Sequence, residues 1–207
     1  AGIPPYCLDG SIGITKAYTT RVGGGPFPTV MEEGIYEEIQ EVGQEMGATT
    51  GRPRKCGWLD LVALKYAVEI NDFDGIIITK VDVLDFLEDI KVCTLYTNPN
   101  SDDKLAYEMG YPINVDEMLP VYYTLRGWES KTRGMRSIED LPLRLREYLE
   151  FIENYIGVPI VGISTGPERS AFIERRALFK PLPLVRQIER AEAFPNISEL
   201  LEKKESF

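Results

Sequence analysis

The sequence has 207 residues, a formal net charge of −10 and no histidine, and a chain of this length fits one domain or two small ones. Its 43% hydrophobic and 27% charged residues are typical of a soluble globular protein, not of a disordered or membrane protein. The lack of histidine excludes Ser-His-Asp and Cys-His nucleophile pairs and histidine-ligated metal sites, and the acidic charge argues against a large nucleic-acid-binding surface.

The first elements are a strand, a glycine-rich loop and a helix. β-Branched residues over 12–21 predict the strand, and three glycines with two prolines over 22–29 allow only a loop. Apolar residues recur at helical spacing over 33–46 and predict a helix that is closed by Gly47. The next residues, 48–55, form a polar, basic loop.

The middle of the chain alternates between helical patterns and apolar runs. Helices are predicted over 58–71 and 138–156, and strands over 75–79, 90–96, 121–125 and 158–163. Continuous apolar runs are typical of strands buried on both faces, so we expect an α/β fold with parallel strands. Residues 97–118 are polar and predict an insertion or a pair of loops, and the sequence of the proline-containing tail over 179–207 indicates no role.

The carboxyl ends of two predicted strands carry groups that can bind a nucleotide base. Thr79-Lys80-Val81-Asp82 follows the apolar run over 75–79, where ligands bind in open α/β sheets. A carboxylate such as Asp82 can accept two hydrogen bonds from the ring N–H and the amine of guanine, which adenine cannot provide, and a lysine stem can cover the base. The alternative is that Asp82 only caps the next helical turn.

A second candidate follows the strand over 158–163. Exposed backbone N–H groups of Ser164-Thr165-Gly166 can bind the guanine O6 or the ribose. The alternative is an ordinary strand-to-helix turn. The two strand ends together predict a base pocket more strongly than either of them alone.

The basic loop is the third candidate. Thr49-Thr50-Gly51-Arg52-Pro53-Arg54-Lys55 places three cations within four residues of an otherwise acidic chain. Arginine forks bind carboxylates and phosphates in a bidentate manner, and threonine hydroxyls can orient an anion. The loop therefore suits a small acidic substrate. The alternative is a solvated surface loop whose cations pair with nearby glutamates.

The sequence contains no known motif for binding the phosphates of a nucleotide. The glycines and prolines over 23–28 do not form a Walker phosphate loop, which ends in Gly-Lys-Ser/Thr, and no such sequence occurs in the chain.

Trp58, Trp128 and the stripe Leu141/Leu145/Leu149 are interpreted as core residues. Cys7, Cys56 and Cys93 are odd in number and widely spaced, which predicts reduced thiols in a cytoplasmic protein. No apolar run approaches the roughly 20 residues that span a bilayer.

Five blocks in register resemble the adenylosuccinate synthetase family, which joins IMP to aspartate at the expense of GTP. They run over 16–29, 47–60, 79–85, 127–128 and 163–169. They cover most of the chain from Gly13 to about Arg169. Val30 and Arg126 depart from the residues that the family usually has, Glu and Pro, and residues beyond about 179 have no counterpart in it.

The resemblance implies a fold and a set of site residues. The fold is part of a P-loop-NTPase-like, mostly parallel sheet flanked by helices, and residues 1–178 are its C-terminal portion. The loop that closes over aspartate and IMP would be Ala48, Thr49, Thr50, Gly51, Arg52, Pro53 and Arg54. The GTP-binding residues would be Arg54, Lys80, Val81, Asp82, Ser164, Thr165 and Gly166.

The resemblance also implies what other residues would supply. In the family the phosphate-binding loop, the catalytic Asp and His and the Mg²⁺ ligands lie in an N-terminal half that would precede Ala1. No catalytic or metal residue is therefore expected in this chain. The family mechanism begins when the O6 of deprotonated IMP attacks the γ-phosphate of GTP, and aspartate then displaces the phosphate.

Three functions remain open. The chain is the C-terminal portion of an active ligase, or a catalytically inactive fragment that keeps guanine-nucleotide or aspartate binding. The third is a regulatory or interaction protein that kept the scaffold and added the tail. In the first case its partners are GTP, IMP, L-aspartate and a second copy in a cytoplasmic homodimer. Neither nucleic acid nor a membrane is an expected partner.

Overall fold

The computed structural model describes residues 10–47, 51–100 and 117–176. Its strands are β1 Ile12–Lys16, β2 Thr19–Arg21, β3 Lys55–Gly57, β4 Leu59–Asp60, β5 Gly75–Thr79, β6 Asp89–Thr97, β7 Leu119–Arg126, β8 Ile160–Ser164 and β9 Phe172–Glu174. Its α-helices are α1 Ile35–Val42, α2 Leu61–Asn71 and α3 Leu143–Ile156. Of these described residues, 11–47, 51–100 and 117–176 belong to one compact unit.

The largest sheet has the strand order β1-β5-β8-β9. β5 lies in its centre and pairs in parallel with β1 and β8, while β9 adds an antiparallel edge. The central β5 and β8 are apolar and mainly buried, as expected for strands covered on both faces. The parallel pairing brings the carboxyl ends of β5 and β8 to the same edge, and this position determines where a ligand can bind.

The structure also contains two smaller sheets. In the three-stranded sheet, β6 pairs in parallel with β4 and in antiparallel orientation with β7. In the other, β2 and β3 form an antiparallel ribbon. Asp60 connects this region to α2 because its carboxylate caps the helix at the N–H of Ala63, 3.0 Å away, and also accepts from the hydroxyl of Tyr96 at 2.6 Å.

The helices bury apolar stripes against one core. On α3 the buried side chains are Leu145, Tyr148, Leu149, Ile152 and Ile156, which follow the 3.6-residue period. Leu141 and both tryptophans are also buried, which confirms their interpretation as core residues. The predicted α/β class with a mostly parallel sheet and flanking helices is confirmed. No helix among residues 10–47, 51–100 and 117–176 is long and apolar enough to cross a membrane.

Several predicted elements are wrong in their extent. The helices predicted over 58–71 and 138–156 begin at Leu61 and Leu143, because Leu59–Asp60 pairs as strand β4 and Pro142 is the N-cap of α3. The single strand predicted over 12–21 is interrupted at the buried residues Ala17 and Tyr18, so that its two halves belong to different sheets. The helix predicted over 33–46 ends at Val42, with Gly43 as its C-cap, and Gln44 takes a left-handed φ of 48°. Most of the insertion predicted over 97–118 and the tail over 179–207 lie outside the described residues.

Candidate functional site

A cavity of about 460 Å³ lies at the carboxyl ends of β5 and β8. Its walls come from Thr79, Lys80 and Asp82 at the end of β5, from Ser164 and Gly166 at the end of β8, and from residues 42–44 at the end of α1. Arg133 lines the same cavity. The structure therefore brings the two predicted strand-end motifs together in one pocket, as their joint interpretation requires, and adds a wall that the sequence did not predict.

Asp82 presents a half-buried carboxylate to this pocket. It lies inside a 3₁₀ turn, Val81–Leu84, whose N-cap is Lys80 and which no side chain caps, so Asp82 is not the helix cap of the alternative interpretation. Burial raises the pKa of Asp82, as does the nearby Asp85, while Arg133 and Lys80 act to lower it. Within the described residues, no other residue donates a hydrogen bond to its carboxylate, so both oxygens can accept from a ligand.

Lys80 adopts a backbone conformation that few residues with a side chain adopt. Its φ of 60° and ψ of 35° lie in the left-handed region, where strain is commonly held at functional sites. Its ammonium donates to the carbonyl of Gly43 at 2.7 Å and to Oε1 of Glu45 at 2.6 Å. The ammonium of Lys80 is thus held in place by two acceptors, and Lys80 lines the pocket.

The end of β8 uses most of its polar groups internally. Thr165 is fully buried, its N–H donates to the carbonyl of Ala171 at 3.0 Å, and its hydroxyl lies 3.2 Å from the carbonyls of Met135 and Ala171. Ser164 donates to the carbonyl of Gly166 at 2.6 Å. Of the backbone donors predicted for a ligand, Gly166 N–H is the one left without a partner in the part of the chain that the structure describes.

The segment after Gly166 is not the strand-to-helix turn of the alternative interpretation. It forms a 3₁₀ turn over Arg169–Ala171 and then the antiparallel strand β9. A buried threonine that bonds this turn therefore fixes the direction of the chain as it leaves β8.

The basic loop is closed by its own backbone. Gly47 N–H donates to the carbonyl of Arg52, and Gly51 N–H to the carbonyl of Gly47, both at 2.8 Å. Gly51 has a φ of 62°, which favours glycine. Pro53 and the side chain of Arg52 are exposed, and Ala48, Thr49 and Thr50 lie outside the described residues. The loop thus presents Arg52 to solvent at its closed end.

Arg54 points inward and pairs with a glutamate, as the alternative interpretation of the loop anticipates. Its NH1 lies 3.0 Å from Oε2 of Glu45, whose side chain has no exposed surface. The same carboxylate accepts from Lys16 at 2.8 Å, Lys80 at 2.6 Å and the hydroxyl of Tyr18 at 2.7 Å. Glu45 is therefore the common acceptor of two regions that the sequence presents as separate motifs.

The donors around Glu45 control its ionisation. Burial acts to raise the pKa of Glu45, but hydrogen bonds from Lys16, Lys80 and Tyr18 outweigh it and lower the pKa to about 2. Burial also lowers the pKa of Lys16, against the attraction of Glu45, and raises that of the Tyr18 hydroxyl well above its ordinary value, with a further contribution from Glu45. Tyr18 therefore remains a neutral donor.

A second carboxylate, Asp85, binds the segment that precedes Arg133. It accepts from Trp128 Nε1 at 2.7 Å and from the N–H and hydroxyl of Thr132 at 2.7 and 2.9 Å. Next to Trp128, Gly127 packs so closely that an added Cβ would lie 1.8 Å from the carbonyl oxygen of Leu87. These contacts connect the block over 79–85 with the Gly127-Trp128 pair and hold the segment that leads to Arg133.

Sequence reasoning missed Glu45, Lys16, Tyr18 and Arg133 as site residues. Glu45 was part of a predicted helix, and its lysine partners lie 29 and 35 residues away. The helix-breaking Gly43 was the one local signal.

Cys56 and Cys93 are free and buried, and burial raises the pKa of Cys56 to about 11 and of Cys93 to about 12, so neither thiol is an activated nucleophile.

Among residues 10–47, 51–100 and 117–176, no group of three or more Asp, Glu, Cys or His side chains is placed to hold a metal ion.

Comparisons with known proteins agree on one family. The family model described as adenylosuccinate synthetase matches residues 1–173. Adenylosuccinate synthetases of Aquifex aeolicus and Thermodesulfovibrio yellowstonii are 49% and 48% identical over 83% and 84% of this chain, and the match covers 40% of each relative. The structure of fully ligated adenylosuccinate synthetase from Plasmodium falciparum matches with a TM-score of 0.80 and 38% identity, over 84% of this chain and 42% of that one. The chain thus spans about 40% of the length of the curated relatives that it matches.

Proposed function

Because this chain belongs to the adenylosuccinate synthetase family, we propose that it supplies the guanine pocket and the aspartate loop of a GTP-dependent ligase that joins IMP and L-aspartate in AMP biosynthesis. It forms the C-terminal portion of that enzyme. The complete enzyme acts in the cytoplasm as a homodimer.

The observation that carries the proposal is the carboxylate of Asp82, which no other described residue bonds, in a cavity of about 460 Å³. Guanine presents the N1–H and the 2-amino group side by side, and one carboxylate can accept from both. Adenine has no donor at either position, so it would leave a half-buried carboxylate unpaired, at a cost of roughly 1–3 kcal/mol. Gly166 N–H is available for the guanine O6, and the stem of Lys80 can cover the base.

The basic loop is proposed to bind the carboxylates of aspartate. Arg52 is exposed and Arg54 lies between this loop and the base pocket, so the two guanidinium groups can serve ligands on either side. Thr49 and Thr50 would orient the bound anion, and Arg52 would also face IMP. Arg54 would also reach GTP, in keeping with its position beside Lys80 and Glu45.

The role of this chain is therefore to bind and orient, while the family's N-terminal half supplies the base and the phosphate loop. Mg²⁺ would neutralise charge on the phosphates when bound there. Within the described residues, no three carboxylate, thiol or imidazole side chains are grouped to bind a metal ion.

A direct test compares GDP with ADP in equilibrium dialysis against the 207-residue chain. We expect GDP to bind at least about tenfold more tightly, since only guanine satisfies Asp82. Equal affinities would refute the proposed base pocket. In a parallel assay with IMP, aspartate and GTP, the chain alone is expected to form no adenylosuccinate, and robust turnover would refute the proposed division of labour.

A second candidate is a binding module that keeps the pocket without turnover. The two candidates differ in the coding sequence upstream of Ala1. A Gly-rich phosphate loop encoded in the same frame supports the ligase, and a frame without one supports the binding module.

A further inference from the structure

Glu45 connects the base pocket with the basic loop through its two carboxylate oxygens. Its Oε1 accepts from Lys80, at the end of β5, and its Oε2 accepts from Arg54, at the end of the basic loop. Lys16, at the end of β1, donates to both oxygens at 2.8 and 2.9 Å. One carboxylate thus holds side chains from three segments that are separate in the sequence.

The charges make this carboxylate necessary for the arrangement. Three cations surround one anion, and all three cation side chains are at most 35% exposed. Without the anion, three positive charges would face one another with little water to screen them. A buried charge that loses its partner is strongly destabilised, so each cation would turn towards solvent or another acceptor.

We propose that Glu45 is a positioning residue that holds Lys80 at the base pocket and Arg54 at the basic loop in one network, so that a change at the loop alters Lys80. The inference rests on the proposed function for the identity of the ligand, a guanine nucleotide. The network itself stands on the distances and burial of the four side chains.

The competing explanation is that Glu45 only stabilises the fold. In that case Glu45→Gln lowers the free energy of unfolding but leaves the folded protein with the same lysine reactivity and the same ligand affinity. Glu153→Gln is the matched control, because Glu153 also accepts from two arginines, Arg175 and Arg176, with its side chain 16% exposed, and it does not line the cavity.

The first measurement is limited acetylation of the folded 207-residue chain, followed by peptide mass spectrometry, with the exposed Lys131 as internal reference. In Glu45→Gln we expect Lys80 and Lys16 to react about tenfold faster, because each loses the charge-assisted hydrogen bond that holds its amine at the carboxylate. Glu153→Gln should leave both rates unchanged. Unchanged rates in folded Glu45→Gln would overturn the proposal.

A second variant keeps the test decisive if Glu45→Gln fails to fold. Arg54→Leu removes one of the cations that share the carboxylate, so Lys80 and Lys16 should pair with it more fully. We expect their acetylation to slow by about two- to fivefold, the range of a single weak ion-pair coupling. An unchanged rate at Lys80 would show that the loop and the pocket are independent, against the proposal.

The third measurement is GDP affinity of the same proteins by equilibrium dialysis. Glu45→Gln should weaken binding about tenfold, while Glu153→Gln should bind as the unmodified chain does. Equal affinity in Glu45→Gln overturns the positioning role even if acetylation rises. If the unmodified chain binds no GDP, the proposed pocket fails, and the acetylation rates of Glu45→Gln and Arg54→Leu alone decide the positioning role.

Discussion

The ammonium of Lys80 lies 2.6 Å from Oε1 of Glu45, a carboxylate whose side chain has no exposed surface. This contact connects the end of β5 with the segment that follows α1, 35 residues earlier in the chain. It also explains how a lysine with a left-handed backbone is kept in place, because the tertiary contact offsets the cost of the backbone conformation.

The lowered pKa of Glu45 predicts a loss of stability in acid. Its pKa is about 2 in the folded chain against an ordinary value of 4.5, so protons bind the unfolded chain more readily. The stabilisation is therefore complete above about pH 5 and disappears as the pH falls towards 2, with a size of roughly 3 kcal/mol. Urea unfolding at a series of pH values should show this slope, and Glu45→Gln should flatten it. An equal slope in both proteins would contradict the assignment.

Gly127 should not tolerate a side chain. In Gly127→Ala the new Cβ would lie 1.8 Å from the carbonyl oxygen of Leu87, so the backbone has to move. We expect the free energy of unfolding to fall by at least about 2 kcal/mol, as in other overpacked sites. Gly24→Ala is the control, because an added Cβ at Gly24 meets nothing within 4 Å. Equal urea midpoints for the two variants would argue against this close packing.

Asp85→Ala should loosen the segment that precedes Arg133. It leaves Trp128 Nε1 and the N–H of Thr132 without their acceptor, which is expected to cost roughly 3 kcal/mol in urea unfolding and to shift the emission of Trp128. Asp89→Ala removes an ion pair with Arg126 in which both side chains are about half exposed, and should cost less than about 1 kcal/mol. A smaller effect at Asp85 than at Asp89 would show that this segment does not depend on Asp85.

Arg54→Leu should impair aspartate use by a ligase that contains this chain. A lost charge-assisted hydrogen bond costs about 1.5–3 kcal/mol, so the KM for aspartate should rise about ten- to hundredfold. Arg126→Leu, at the exposed end of β7, should leave that KM unchanged. If Arg54→Leu lowers only the free energy of unfolding, Arg54 is a structural partner of Glu45 and not part of the aspartate loop.

Much of the fold could be predicted from local patterns. The apolar runs that form β5 and β8 and the 3.6-residue stripe of α3 are strong signals, because most of the apolar side chains in each pattern are buried. The residues after Val42 misled the same reasoning. Val42 and Met46 continue the apolar stripe of α1, yet both are about half exposed because the helix stops at Gly43.

The site was predictable where its chemistry is local. The strand ends that carry Asp82 and Gly166 follow from the sequence, since parallel strands end at one edge of a sheet. The cluster around Glu45 was not predictable, because it depends on three cations that only the tertiary fold brings together. The single strand predicted over 12–21 failed for the same reason, as Ala17 and Tyr18 are buried and Tyr18 donates to Glu45.

The most direct test of the account is the base preference of Asp82→Asn. An asparagine can still accept from N1–H, but its amide now donates, which matches the O2 of xanthine and opposes the 2-amino group of guanine. In equilibrium dialysis with GDP and XDP, we expect the unmodified chain to prefer GDP and Asp82→Asn to prefer XDP. Unchanged GDP preference in Asp82→Asn would contradict the claim that Asp82 reads the base.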